Sequence, residues 1–132
     1  MIVADSSVWI DHFRGTLSPQ VLRLRSLDID DDIIVGDVIA LEVLRGARTE
    51  RQAAAFRDGF DAHGVVPMLN AELANLGAAH YRRLRGLGIT VRKLGDLIIA
   101  TFCIVHEHDL LHQDRDFDPF ETHLGLKVVH AA

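Results

Sequence analysis

The chain has 132 residues, 48% hydrophobic, with three prolines, ten scattered glycines, one cysteine and a formal net charge of −5. This describes one compact globular domain that buries most of the surface its unfolded form exposes, and it excludes a disordered segment. The lone Cys103 excludes an internal disulfide and a four-cysteine zinc site, which fits a reducing cytoplasm. The longest apolar run, Leu97 to Val105, is interrupted by Thr101 and falls far short of the ~20 residues of a membrane span. MIVADSSVWID at the start carries an acid at position 5 and no basic segment before a long apolar core, unlike a secretory signal. A cytoplasmic protein with no membrane association is expected.

In chain order, Met1 to Ala4 is a short apolar run, and Asp5-Ser6-Ser7 offers cap chemistry for a helix from about Val8 to Phe13. After Pro19, Val21, Leu22, Leu24 and Leu27 recur at helical spacing. DIDDD at 28–32 leads into Ile33-Ile34-Val35, a buried-strand candidate, and Gly36-Asp37 turns into the helix-like VIALEVLRGA. Arg51 to His63 reads as a helix ended by Gly64, Val65-Val66 as a brief strand, and Asn70 to Arg85 as a helix closed by Gly86. GITVRK is a loop or strand, after which Gly95-Asp96 opens the strongly apolar helix LIIATFCIVHEH. Leu110-Leu111 and Lys127 to Val129 supply the last strands. Strands alternating with helices predict an α/β layer structure with a mostly parallel sheet, in one domain over residues 1–132. No repeat, low-complexity tract or linker divides it.

Four acids acquire a common address on this framework. Asp5 follows the first strand and Asp114 the Leu110-Leu111 strand, and in an open parallel sheet the carboxyl ends of strands form the ligand crevice. Glu42 and Asp96 fall in the early turns of helices that leave strands at the same edge. Each also has a plain structural reading. Asp5 caps a helix, Asp96 is a helix-start acid favoured by the dipole, and Glu42 pairs with Arg45 one turn on. Yet Glu42 stands inside VIALEVL beside Val38 and Ile39, where a carboxylate needs a partner or bears a heavy desolvation cost. Carboxylates clustered within a few ångströms raise one another's pKa, and a hard divalent cation such as Mg²⁺ or Mn²⁺ relieves the repulsion. Such a site activates water and stabilises charge on a phosphate, which suits hydrolysis of a phosphodiester.

Other metal and cofactor chemistries fit the letters poorly. Asp114-x-Asp116-x-Asp118 imitates an EF-hand loop, but Pro119 stands where glycine is required and Gly125 where glutamate is. LLHQDRDF resembles an aspartyl-phosphate nucleophile after a strand, although little chain follows Asp118 to complete such a domain. His106, His108 and His112 could be imagined as zinc ligands, but His106 and His108 form no helical i, i+4 pair and point apart if both are helical. Ser6 and Ser7 lack a nucleophile elbow and are expected to cap the helix, or to orient a phosphate or water beside Asp5. Neither HGV nor RGLG makes a phosphate-cradling loop. The negative net charge argues at first against nucleic acid. However, Arg82, Arg83, Arg85, Arg92 and Lys93 concentrate five of the fourteen basic residues in one segment, as an RNA backbone contact or a solvated face.

The blocks IVADSSVWIDHFRG, GDVIALEVLRGA and VRKLGDLIIATFCIVHEHDLLHQDRDFD resemble those of PIN-domain ribonucleases, specifically VapC-type toxins of toxin–antitoxin pairs. The resemblance extends over essentially the whole chain. It implies a PIN-like three-layer fold with helices on both sides of a mostly parallel sheet, and a homodimer. It places the catalytic and metal-binding acids on Asp5, Glu42, Asp96 and Asp114, with Asp116 as an auxiliary. It further implies Mg²⁺- or Mn²⁺-dependent endonucleolytic cleavage of RNA, often tRNA or rRNA, and inhibition by a cognate antitoxin. His112 departs from the pattern, since many relatives carry a hydroxyl residue there. The competing readings are a PIN-like binding or adaptor domain without catalysis, and a metal-dependent phosphatase, for which no capping segment is evident.

Overall fold

A computed structural model describes residues 1–27 and 32–131, so most of the acidic run at 28–32 lies outside the described residues. Among the described residues, five short strands form one sheet: Ile2–Ala4 (β1), Ile33–Gly36 (β2), Val65–Val66 (β3), Asp109–Leu111 (β4) and Lys127–Val128 (β5). Their order is β3-β2-β1-β4-β5, and every pairing is parallel. The helices are Ser6–Arg14 (α1), Pro19–Arg25 (α2), Asp37–Arg45 (α3), Glu50–Asp61 (α4), Ala71–Gly86 (α5), Leu94–His106 (α6) and Asp118–Leu124 (α7), with a 3-10 turn at Arg115–Phe117. This is the α/β layering expected from the alternation of elements.

The strands are apolar on both faces because helices cover both. Val3, Ala4, Ile33, Val35, Leu110 and Leu111 are all buried, as a parallel sheet inside two helical layers requires. Below the crevice, α1 and α4 lock together through aromatic rings. Phe13 stacks on Phe56 at 4.6 Å between centroids, and Phe60 meets Trp9 edge-to-face at 5.2 Å. Phe60→Ala is expected to cost about 3–5 kcal/mol, read as a lower urea midpoint, because this fully buried ring leaves a cavity that its neighbours cannot collapse.

The topology creates the crevice. From β1 the chain moves outward to β2, whereas from β4 it moves outward on the other side to β5. The loops leaving these two neighbouring strands therefore diverge, and the gap between them at the carboxyl edge is the place where open α/β sheets bind ligands. Asp5 immediately follows β1, and Asp114 stands three residues beyond β4.

Two local expectations are corrected. Gly86 lies within α5, and the reversal occurs at Gly88, whose φ of 82° suits a residue without a side chain. Asp118 closes the 3-10 turn before Pro119, its backbone N–H donating to the Arg115 carbonyl, and is also the first residue of α7; Asp114 caps the start of that turn. His106 and His108 do not point apart, because α6 stops at His106 and Glu107 takes a left-handed φ of 57°. Their rings come within 6.0 Å of each other, beside Phe102.

Candidate active site

Asp5 satisfies its plain and its functional reading with different oxygens. One carboxylate oxygen, Oδ2, accepts from the Ser7 hydroxyl at 2.8 Å and from the Ser7 N–H at 3.4 Å, which makes it the cap of α1. The other, Oδ1, is buried without a hydrogen-bond partner, and the residue as a whole is only 3% exposed. Glu42 reaches the same region from α3. Its Oε1 is also buried and unpartnered, and its Oε2 lies so near Gly95 that a methyl group there would stand 2.8 Å away.

Asp96, in the first turn of α6, is 5% exposed and is the third acid with an orphaned oxygen, Oδ2. Asp114 lies three residues beyond β4. Its Oδ1 accepts from the Asp116 N–H at 2.9 Å and its Oδ2 from Lys93 Nζ at 2.8 Å, while Lys93 also approaches Asp116 Oδ2 at 3.4 Å. Single carboxylate oxygens of Asp96, Asp114 and Asp116 all lie within 4.8 Å of one another. Asp96 is thus the hinge of the site. It shares a tight oxygen group with Asp114 and Asp116, and the charges of Asp5 and Glu42 also act on it.

The electrostatics follow from burial and crowding. Burial pushes the Asp5 carboxyl upward despite its hydrogen bonds to Ser7. Glu42 is raised by burial and then by the Asp5 charge, with Ser6 opposing through a side-chain hydrogen bond. Asp96 is pushed up to about 7, first by burial, then by Asp5, with Asp114 and Glu42 adding to it and Lys93 opposing. Burial acts on Asp114 in the same sense, but the Lys93 hydrogen bond and the Asp116 N–H outweigh it and hold its carboxyl below the ordinary range. Three buried acceptors with no donor, in an all-oxygen donor set, are what a hard divalent cation requires, so these residues fit such an ion.

The PIN domain family matches residues 2–121. The chain belongs to this family. Along nearly its entire length, this PIN domain is 32% identical over 134 residues to Ribonuclease VapC11 of Mycobacterium tuberculosis, with 98% of each chain covered. It is equally similar, over the same extent, to VapC ribonuclease Mb1587 of Mycobacterium bovis. It is therefore a VapC-type PIN domain. Among solved structures it superposes on VapBC2 from Rickettsia felis bound to a promoter DNA fragment, with a TM-score of 0.75, 16% identity and 98% of each chain covered. FitAcB from Neisseria gonorrhoeae gives 0.74 at 17% identity, covering 99% of this chain and 98% of that one. At those identities the likeness is one of fold.

The remaining candidate residues of this PIN domain divide by position. Ser6 and Ser7 serve Glu42 and Asp5 respectively, at the start of α1. Arg92 lines a cleft together with Thr90, Asp96, Arg115 and Asp116. Arg82, Arg83 and Arg85 are exposed on the last turns of α5 and do not line that cleft, and Arg85 lies over the Tyr81 ring at 5.7 Å. Lys93 belongs to the acid group through its contacts with Asp114 and Asp116. His112 accepts the Asp114 N–H on Nδ1 at 3.1 Å and packs on Phe117, so a ring nitrogen holds the backbone beside the acid.

Three residues at the site escape a reading of the sequence alone. Gln113 accepts from the Ser18 hydroxyl at 2.9 Å and donates to the Ser7 carbonyl at 3.3 Å and to the Asp11 carboxylate, tying the exit of β4 to α1 and α2. Arg115 enters the cleft, and Gly95 admits Glu42. Only Gly95 left a local trace: a glycine directly before an acid at a helix start, where a better helix former is the rule.

Proposed function

We propose that this protein is a metal-dependent endoribonuclease that hydrolyses RNA phosphodiester bonds and acts as the toxin of a toxin–antitoxin pair. The observation that carries the reading is the trio of orphaned carboxylate oxygens on Asp5, Glu42 and Asp96, drawn from three separate segments to one edge of the sheet. A domain that served only as a binding surface would carry the desolvation cost of these acceptors with no return. The reading includes one PIN domain over residues 1–132, a homodimer, a cytoplasmic location, a cognate antitoxin such as the VapBC complexes contain, and tRNA or rRNA as the substrate class.

Asp5, Glu42, Asp96 and Asp114 would hold Mg²⁺ or Mn²⁺, with Asp116 as an auxiliary. Bound there, the ion supplies Lewis-acid activation of water and charge stabilisation at the phosphate. The chain's own part is to orient and to neutralise. Ser7 fixes one oxygen of Asp5 so that the other faces the crevice, and Ser6 restrains Glu42. His112 and Asp116 bracket Asp114 at its N–H and its Oδ1. Arg92 and Arg115 border the cleft beside Asp96 and would receive the RNA backbone. In the displacement this arrangement supports, water attacks phosphorus and the 3′-oxygen leaves, giving 3′-hydroxyl and 5′-phosphate ends.

The test is incubation of the purified chain with total RNA in Mn²⁺ or in EDTA, beside Asp5→Asn, with cut ends mapped. Cleavage is expected in Mn²⁺ alone. Cleavage that persists in EDTA or in Asp5→Asn would sink the assignment. Expression is expected to arrest growth, and co-expression of a cognate antitoxin to relieve the arrest.

A further inference from the structure

One cation of the chain itself already sits in the acid group. Lys93 Nζ stands 2.8 Å from Asp114 Oδ2 and 3.4 Å from Asp116 Oδ2, and these two residues join Asp96 in the set whose oxygens converge within 4.8 Å. The ammonium thus engages two of the three residues that present oxygens to a cation. A divalent ion drawing on Asp114 and Asp116 and this ammonium cannot both have those oxygens, since like charges would meet at contact distance.

The choice of residue fits such a role. All but two of the fourteen basic residues are arginine, and the lysines are Lys93 and Lys127. A lysine ammonium is a compact point charge on a flexible stem, closer to a metal ion in shape than the planar guanidinium fork. The Lys93 side chain is 56% exposed, and its backbone occupies the extended capping position of α6, whose first turn carries Asp96. The stem can therefore swing toward solvent without disturbing the core, and its neighbour Arg92 already borders the cleft beside Asp96.

We propose that Lys93 is a built-in counter-ion that holds the Asp114–Asp116 side of the site in the metal-free protein, so that metal binding is an exchange of this ammonium for the ion. This rests on the metal-dependent reading above and adds a residue that sets the site's affinity for the ion. Displaced, the ammonium remains at the cleft mouth, where a phosphate oxygen is its natural next partner.

The presence of only two lysines makes the exchange directly observable. The full chain, labelled with ¹³Cε-lysine and free of RNA, should give one signal each for Lys93 and Lys127, assigned with Lys93→Met. Saturating Mg²⁺ is expected to move the Lys93 signal to a solvent-like position and to leave Lys127 unchanged. Lys93→Met should also bind Mn²⁺ about two- to fivefold more tightly by calorimetry, the scale of releasing one partly exposed ion pair. A Lys93 signal that stays still while calorimetry registers Mg²⁺ binding overturns the exchange and leaves the metal site standing, as does unchanged or weaker Mn²⁺ binding by Lys93→Met. If neither the parent nor Lys93→Met binds either ion, the metal-dependent reading falls together with the proposal.

Discussion

Asp96→Asn is expected to reduce RNA cleavage by at least about 10³-fold, and yet to stabilise the metal-free fold at pH 8. Both effects arise because this carboxylate is 5% exposed, has an orphaned oxygen and stands among other acids. Its pKa rises from 3.8 in the unfolded chain to about 7 in the folded protein, so the folded state binds the proton more tightly. The contribution to stability is therefore fully present below about pH 4 and is lost as the pH climbs through about 7. The loss amounts to roughly 2–4 kcal/mol from this group at pH 8. Asp5 and Glu42 are shifted in the same direction and steepen the fall, whereas Asp114 is shifted downward and acts only below the ordinary carboxylate range. Urea midpoints in EDTA at about pH 5 and about pH 8 measure this. The parent should lose stability between them, Asp96→Asn should lose much less, and Mg²⁺ at pH 8 should restore the parent alone. Parallel pH profiles for the two proteins would contradict the burial argument.

Gly95→Ala is expected to separate activity from stability. The added methyl would stand 2.8 Å from Glu42 Oε2 and 3.3 Å from its Cδ, too close for either atom to remain. The Glu42 side chain can rotate away at small cost, and alanine is the better helix former, so the urea midpoint should stay level or rise by up to about 1 kcal/mol. The carboxylate, however, leaves its place in the crevice, and a misplacement of this order costs about 10- to 100-fold in kcat/KM. Gly86→Ala is the matched control, since a methyl there meets nothing within 4 Å, and its activity should equal the parent's. An active Gly95→Ala would show that Glu42 does not need its present position.

Much of this architecture is legible in the sequence. The apolar runs at Ile2–Ala4, Ile33–Gly36 and Asp109–Leu111 are short and almost without polar interruption, which only strands covered on both faces need. The helix start at Asn70 carries a side chain that accepts from the Leu73 N–H, so local chemistry marks it. The errors fell where the outcome depended on a single backbone reversal. Glycine marks helix ends only on average, and α5 continues through Gly86 to a reversal at Gly88. A left-handed Glu107 has no sequence signature, and it brings together His106 and His108, which helical spacing would separate.

The sequence by itself placed Asp5, Glu42 and Asp114 after strands, because strand and helix patterns are local and a parallel sheet sends the ends of its strands to one edge, whereas Asp96 arrives on a helix that follows another helix and not the strand expected before it. It also determined membership of the PIN family, through blocks spread over the whole chain. Only the tertiary structure decided how the convergence is arranged. Which oxygen of Asp5 is taken and which is left over, how closely Glu42 nests against Gly95, and the settling of Lys93 on Asp114 and Asp116 are distances between segments far apart in the chain. Packing sets those distances to within an ångström, a scale on which Coulomb and contact energies change sharply and residue spacing carries no information.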